Sequence, residues 1–136
     1  MGAPFAVSRY QSRLSGALAD RIDLLAAIRQ PSAEEMGGPP GEASEAVRER
    51  VAAARERQER RLGFGRCNAE MTPAELRECR LDEAAASLLA DSYARHRLSG
   101  RAHDRVLRLA QTVADLAGSD AIGREQVAQA LQLRRR

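Results

Sequence analysis

Two arginine-centred segments hold the residues best suited to chemistry. The first is Ser12-Arg13-Leu14-Ser15-Gly16-Ala17-Leu18-Ala19-Asp20-Arg21-Ile22-Asp23, and the second is Leu98-Ser99-Gly100-Arg101-Ala102-His103-Asp104-Arg105. Each sets an arginine, Arg21 or Arg101, at the edge of a structural element, where a guanidinium can reach a phosphate. Arg101 follows the helix cap expected at Ser99 and falls in the first turn, where amide donors and the positive helix end favour an anion. Arg105 and Arg108 lie further along near the same face, either flanking the phosphates or resting on the helix surface. The plainer alternative for Arg21 is a salt bridge to Asp20 or Asp23, and for Arg101 one to Asp104 or Asp115. The chain has no lysine, and all 22 of its basic residues are arginine, so the lysine of a phosphate-cradling P-loop is not among them. Such a chain is equipped to touch a nucleotide but not to hold one alone. His96 and His103 have no further ligands at metal spacing, and no metal site is expected.

The elements that must position these residues follow from composition and pattern. At 136 residues the chain is about one domain's worth, and with 43% apolar but only 3% aromatic residues its core must be built from alanine, leucine and valine. That composition favours close-packed helices. A net charge of +3, with acidic residues interleaved among the arginines, is too balanced to establish nucleic-acid binding. Cys67 and Cys79 lack a partner at ligand spacing and read as reduced thiols of a cytoplasmic protein. No apolar run is long enough to span a bilayer and no leader pattern opens the chain, so no membrane partner is expected.

Residues 22–28 alternate apolar and other side chains and predict one strand, an orphan whose edges lack neighbours. Three prolines and three glycines between Pro31 and Gly41 predict a flexible linker over 31–41. Everything from 42 to 136 reads as helix. The stripe Val47, Val51, Ala54, Gln58 and Leu62 predicts one helix stopped by Gly63 and Gly65. Thr72-Pro73-Ala74-Glu75 is a capping box that starts a short helix to about Arg80. A third helix, about Asp82 to His96, is expected to bury Ala85, Leu88, Leu89 and Ser92. The next begins after Ser99 with the stripe Ala102, Val106, Leu109, Ala110, Val113 and Leu116 and stops at Gly118. A last helix runs from about Arg124 to Leu133, followed by the arginines 134–136, which suit a helix C-terminus or, less simply, a nucleic-acid contact.

The stretch Tyr10 to Leu24 resembles the Y-x-x-R-[LI]-S-G-P-L-L-D-R-I-D-L signature of the magnesium-chelatase-like AAA+ ATPases of the ComM type. Val51 to Gln58, followed by Arg60 or Arg61, is similar to that family's R-V-x-x-A-R-x-x-Q-x-x-R helix, and Asn68-Ala69 to its N-A pair. Leu98 to Leu116 resembles L-S-x-R-A…A-R-T-I-A-D-L, and Val127 to Arg134 resembles V-x-E-A-L-Q-Y-R. The chain departs from the pattern at Ala17, which replaces a proline, at Ala19, which replaces a leucine, and at Gln111, which stands where the family has arginine.

The resemblance implies a mainly α chain: a C-terminal AAA+ helical lid of about four helices over 42–136, the linker, and a remnant of the ATPase core over 1–30. It implies that Arg21 is an arginine finger acting in trans on ATP held by the adjacent protomer of a ring. Such a finger is worth roughly 10³ to 10⁵ in hydrolysis rate. It implies that Arg101 is the sensor-2 arginine contacting phosphates in cis, with Arg105 a lesser candidate for the same nucleotide. The Walker A and Walker B segments are expected upstream, so ATP and Mg²⁺ belong to the full-length ring and not to this chain, which alone is not expected to hydrolyse ATP. The partners implied are further AAA+ protomers and, in recombination or transformation, DNA. The alternative is a stand-alone helical adaptor docking on an ATPase ring or on DNA.

Overall fold

A computed structural model of the protein describes residues 21–134. Its order is a short helix α1 (Ala33–Gly37), a long helix α2 (Ser44–Leu62), a 3₁₀ turn (Asn68–Glu70), and the helices α3 (Pro73–Arg77), α4 (Glu83–Arg95), α5 (Gly100–Ala117) and α6 (Arg124–Leu133). The mainly helical expectation is met: α2 to α6 make up the lid over 42–136, five α-helices where about four were expected, and α1 falls in the linker.

Sequence caps explain the helix starts. Ser99 Oγ accepts from the Ala102 amide at 3.0 Å, and Asp82 Oδ1 accepts from the Ala85 amide at 2.8 Å. Each occupies a donor that the first turn would otherwise leave without a partner. Thr72 and Glu75 form the expected capping box with Pro73 in the first turn. Gly118 takes a left-handed φ of 71° and ends α5 by donating to the carbonyls of Ala114 and Asp115. A Cβ there would cost about 1–2 kcal/mol, which is why glycine serves.

α3 stops at Arg77, short of the expected Arg80. The reason is a competing partner: the Arg80 carbonyl accepts from the Ile122 amide at 2.7 Å, and the Asp82 amide donates to the Ile122 carbonyl at 3.0 Å. This parallel bridge between Leu81 and Ile122 staples the α3–α4 connection to the α5–α6 connection. Ile122 is fully buried, together with Val106 and Val127. Around them lie Ala85, Ala110, Ala114 and Ala130, whose single methyl groups let helices approach closely. α5 is the central element, packing on α2, the 3₁₀ turn, α3 and α6, while α4 lies against α6.

The expected strand over 22–28 is corrected by the structure: no strand occurs among the described residues, and this segment runs as an irregular strap. A strand needs an edge to pair with. Here the Leu25 amide instead finds the carbonyl of Leu133 at the end of α6, 2.6 Å away. Linker residues 31–41 do contain one ordered turn, α1, where Ser32 and Glu35 make a capping box and Arg29 pairs with Glu35.

The buried face of α5 also differs from the apolar stripe. Leu109 and Val113 are only partly buried and Leu116 is exposed, whereas Leu107, Gln111, Ala114 and Asp115 are buried. The face is rotated because two polar residues point inward. The Asp115 side chain is 1% exposed and receives both ends of the Arg61 guanidinium, at 3.0 Å on Oδ1 and 2.9 Å on Oδ2. Asn68 Nδ2 donates to Oδ2 at 2.8 Å, and Gln111 Nε2 to Oδ1 at 3.2 Å. Arg61 Nη2 also donates to Asn68 Oδ1 at 2.8 Å, and the Asn68 amide donates to Gln58 Oε1 at 2.9 Å. The N-A pair, the glutamine and last arginine of the helix motif, and the aspartate of A-D-L thus converge on one buried carboxylate. Gln111, the departure from the family pattern, donates to that carboxylate without adding a second positive charge beside Arg61.

Both cysteines are free, and burial pushes the Cys79 thiol above its ordinary range. No helix among the described residues is long and apolar enough to cross a membrane.

Asp115→Ala should destabilise the domain by about 3 kcal/mol, since it strands the Arg61 charge and the Asn68 amide together; denaturant titration reads the loss. Arg66 makes a two-bonded ion pair with Glu75, both contacts 2.7 Å, and with the Thr72 amide it lowers the Glu75 carboxyl from 4.5 to about 2. A depressed carboxyl favours folding only while ionised, so this contribution is complete above about pH 4.5 and drains away as pH falls toward 2. The melting temperature of Glu75→Gln should therefore fall less steeply than that of the wild type across that acid window.

Candidate functional site

The 18-residue helix α5 sets the arginines of the second segment, and its N-terminal end is the relevant one. Arg101 lies in the first turn just past the Ser99 cap, and it is exposed. Neither carboxylate that could have tied it down does so: Asp115 is taken by Arg61, and Asp104 Oδ1 lies 3.2 Å from His103 Nδ1. Its guanidinium is directed to solvent beside a positive helix end, the setting in which an anionic oxygen is best stabilised.

Beside it lies an open hollow of about 470 Å³ lined by Ala90, Tyr93, Gly100, His103 and Asp104. The Tyr93 and His103 rings meet edge to face there at 5.7 Å. A separate hollow of about 260 Å³, lined by Arg57, Arg60 and Arg61, sits past the opposite end of α5 beside Ser119 and Asp120. An 18-residue helix is about 27 Å long, so the two hollows cannot serve one small ligand. In the second hollow Arg61 is held by Asp115, and Arg57 donates to Asp120 at 2.8 Å and to the Gly118 carbonyl at 2.9 Å.

Arg21 is exposed at the head of the strap, and Ser12 to Asp20, with Ala17 and Ala19, lie outside the described residues. One of its two possible ion-pair partners is engaged elsewhere. Asp23 Oδ1 lies 3.3 Å from Arg105 Nε, and the Arg105 side chain is 11% exposed. Arg105 therefore faces the strap, and Arg108 Nη2 donates at 3.3 Å to the Met71 carbonyl. The structure thus brings the two segments into contact through Asp23 and Arg105, with Arg21 and Arg101 nearby in sequence on either side. Sequence reasoning missed the Asp23–Arg105 pair because residues 82 positions apart share no periodicity. The only signal was the acidic residue two places after Arg21.

A free guanidinium fits phosphate oxygens. It offers nothing to Mg²⁺, which takes oxygen ligands and near-octahedral geometry. Among the described residues no group of histidine, cysteine, aspartate and glutamate could hold a metal ion.

Comparison with known proteins agrees with the sequence motifs. The family described as "Magnesium chelatase, subunit ChlI C-terminal" matches residues 41–134. An uncharacterised protein of Mycobacterium tuberculosis is 42% identical over 130 residues, 93% of this chain and 26% of its own length. YifB of Escherichia coli is 39% identical over 129 residues, 93% of this chain and 25% of its own, and the competence protein ComM of Haemophilus influenzae is 37% identical over 136, 97% and 26%. The chain spans about a quarter of the length of these relatives. With most of its length matched by the family and by relatives of this similarity, the chain belongs to the magnesium-chelatase-like proteins of the ComM and YifB type and carries their C-terminal helical domain.

Proposed function

We propose that this domain is the lid and arginine-finger part of an AAA+ ATPase ring, with Arg21 acting in trans and Arg101 in cis. The observation that carries this reading is that the arginines at the two motif positions, 21 and 101, both face solvent, whereas Arg61 of the helix motif is turned inward onto Asp115. An arginine kept for structure is held by a buried carboxylate. One kept for a phosphate must remain free to meet it.

In this reading the chain's own residues have two tasks. Arg101, with the α5 N-terminus behind it, offers charge and hydrogen bonds to the phosphates of ATP held by its own protomer. Arg21 projects to the neighbouring protomer and places its guanidinium against charge that develops on the phosphoryl oxygens during transfer. In this reading the P-loop lysine and the carboxylates for Mg²⁺ come from an ATPase core outside this chain. ATP and Mg²⁺ are thus cofactors of the assembled ring. The sequence resemblance supports DNA as the material on which the ring works, and one relative is named a competence protein.

In the intact ring, Arg21→Ala should leave ATP affinity nearly unchanged and lower turnover by roughly 10³-fold or more. Arg101→Ala should raise the Kd for ATP about tenfold to a hundredfold, the worth of a charge-assisted contact. Steady-state hydrolysis and nucleotide titration separate the two, and normal turnover in Arg21→Ala removes the finger assignment. A gel-shift titration should show DNA binding by the ring that weakens as salt rises, and binding insensitive to salt counts against contact with the phosphate backbone.

A further inference from the structure

The geometry points to a role for Arg105 distinct from nucleotide binding: with Asp23 it forms a latch that fixes the position of the finger relative to the sensor helix. This inference rests on the nucleotide-switch reading given above and adds a positioning residue to it.

The latch is built from both sides. Arg105 lies four residues after Arg101, so the two share one stretch of the α5 surface a single turn apart. Its side chain is 11% exposed, far less than a surface arginine needs to be, and its Nε is 3.3 Å from Asp23 Oδ1. Asp23 lies two residues after Arg21. Two residues further along the strap, the Leu25 amide donates to the Leu133 carbonyl of α6. Along this stretch Ile22 and Leu25 are half-buried, while Asp23 and Leu24 are exposed. The strap thus has a charged tie to α5 and a backbone tie to α6, and no strand pairing among the described residues.

The consequence is mechanical. Held by Arg105, Asp23 moves with the surface of α5. Any displacement of the α5 N-terminus when Arg101 gains or loses a phosphate is passed through Arg105 and Asp23 to a point two residues from the finger. The state of one protomer's nucleotide then sets the reach of the guanidinium it extends toward its neighbour. Finger chemistry is sensitive to such placement, because a misplacement of about 1 Å can cost on the order of 10²-fold in rate.

The test uses the intact ring, with Asp23→Asn, Arg105→Gln and the double variant. Asp23 is 66% exposed, so its substitution leaves the core untouched. Each single variant should lower kcat about threefold to tenfold with KM for ATP unchanged, and the double variant should be no worse than either single one. Arg105→Lys, which keeps the charge without the Nε contact, should recover only part of the loss. Amide exchange at residues 22–25 should rise in all of these variants, with the melting temperature held. If Arg105→Gln retains wild-type kcat while Arg21→Ala abolishes turnover, the latch is rejected and the finger reading stands. If Arg105→Gln raises KM and leaves kcat unchanged, Arg105 is a nucleotide ligand and the latch is again rejected. If Arg21→Ala itself retains turnover, the finger reading fails and the latch has nothing to position.

Discussion

The Arg61–Asp115 pair is the constraint on which the arrangement of helices depends. A carboxylate with its side chain 1% exposed is tolerable only when its oxygens are occupied. Here they accept from α2, from the 3₁₀ turn and from α5 itself. Those three elements must therefore stand in one register or leave a buried charge uncompensated. The apolar core, made largely of small side chains, supplies burial but little directional information. The polar cluster fixes which face of α5 turns inward, and so the direction in which its N-terminal end presents Arg101.

This division sorts the arginines by neighbourhood. Arg61 makes three contacts and Arg66 four with carboxylate and carbonyl oxygens, where a planar, permanently charged fork serves better than a lysine ammonium. Arg105 is a middle case, tucked away but paired with a carboxylate that is itself in water. Arg21 and Arg101 are at the other extreme, exposed at the ends of their elements. Residue type alone does not distinguish these groups, since the chain has a single kind of basic side chain.

Much of the fold was legible because its boundaries are set by local chemistry. Ser99, Asp82 and Thr72 cap helices through contacts three residues away, and Gly63 and Gly118 end helices through their own backbone freedom, so a short window of sequence contains the whole cause. What was not legible depends on distant partners. The Ile22–Ile28 pattern alternates as a strand would, but a strand is a relation between two segments and the second is not among the described residues. The buried face of α5 was misjudged at Leu116 and Asp115 because hydropathy ranks aspartate as a surface residue, and only the arrival of Arg61 from 54 positions away reverses that. The motif arginines were identifiable at the candidate site, whereas the tie between Asp23 and Arg105 required the folded chain.

The long helix α2 carries one further consequence. Residues 44–53 are exposed throughout, and packing begins only at Ala54 and Gln58, so roughly the first half of a 19-residue helix is a cantilever projecting from its clamp. Val47 and Val51 continue the inward line of Ala54 past the point where any of the described residues packs against it. With no tertiary burial to hold it, that overhang must be sustained by intrinsic preference, and its Glu-Ala-Val-Arg-Glu-Arg-Val-Ala-Ala stretch is dominated by alanine, glutamate and arginine, among the best helix formers. Among the described residues α2 is thus anchored at its root, where Arg61 is gripped, and stands clear of the bundle toward its tip.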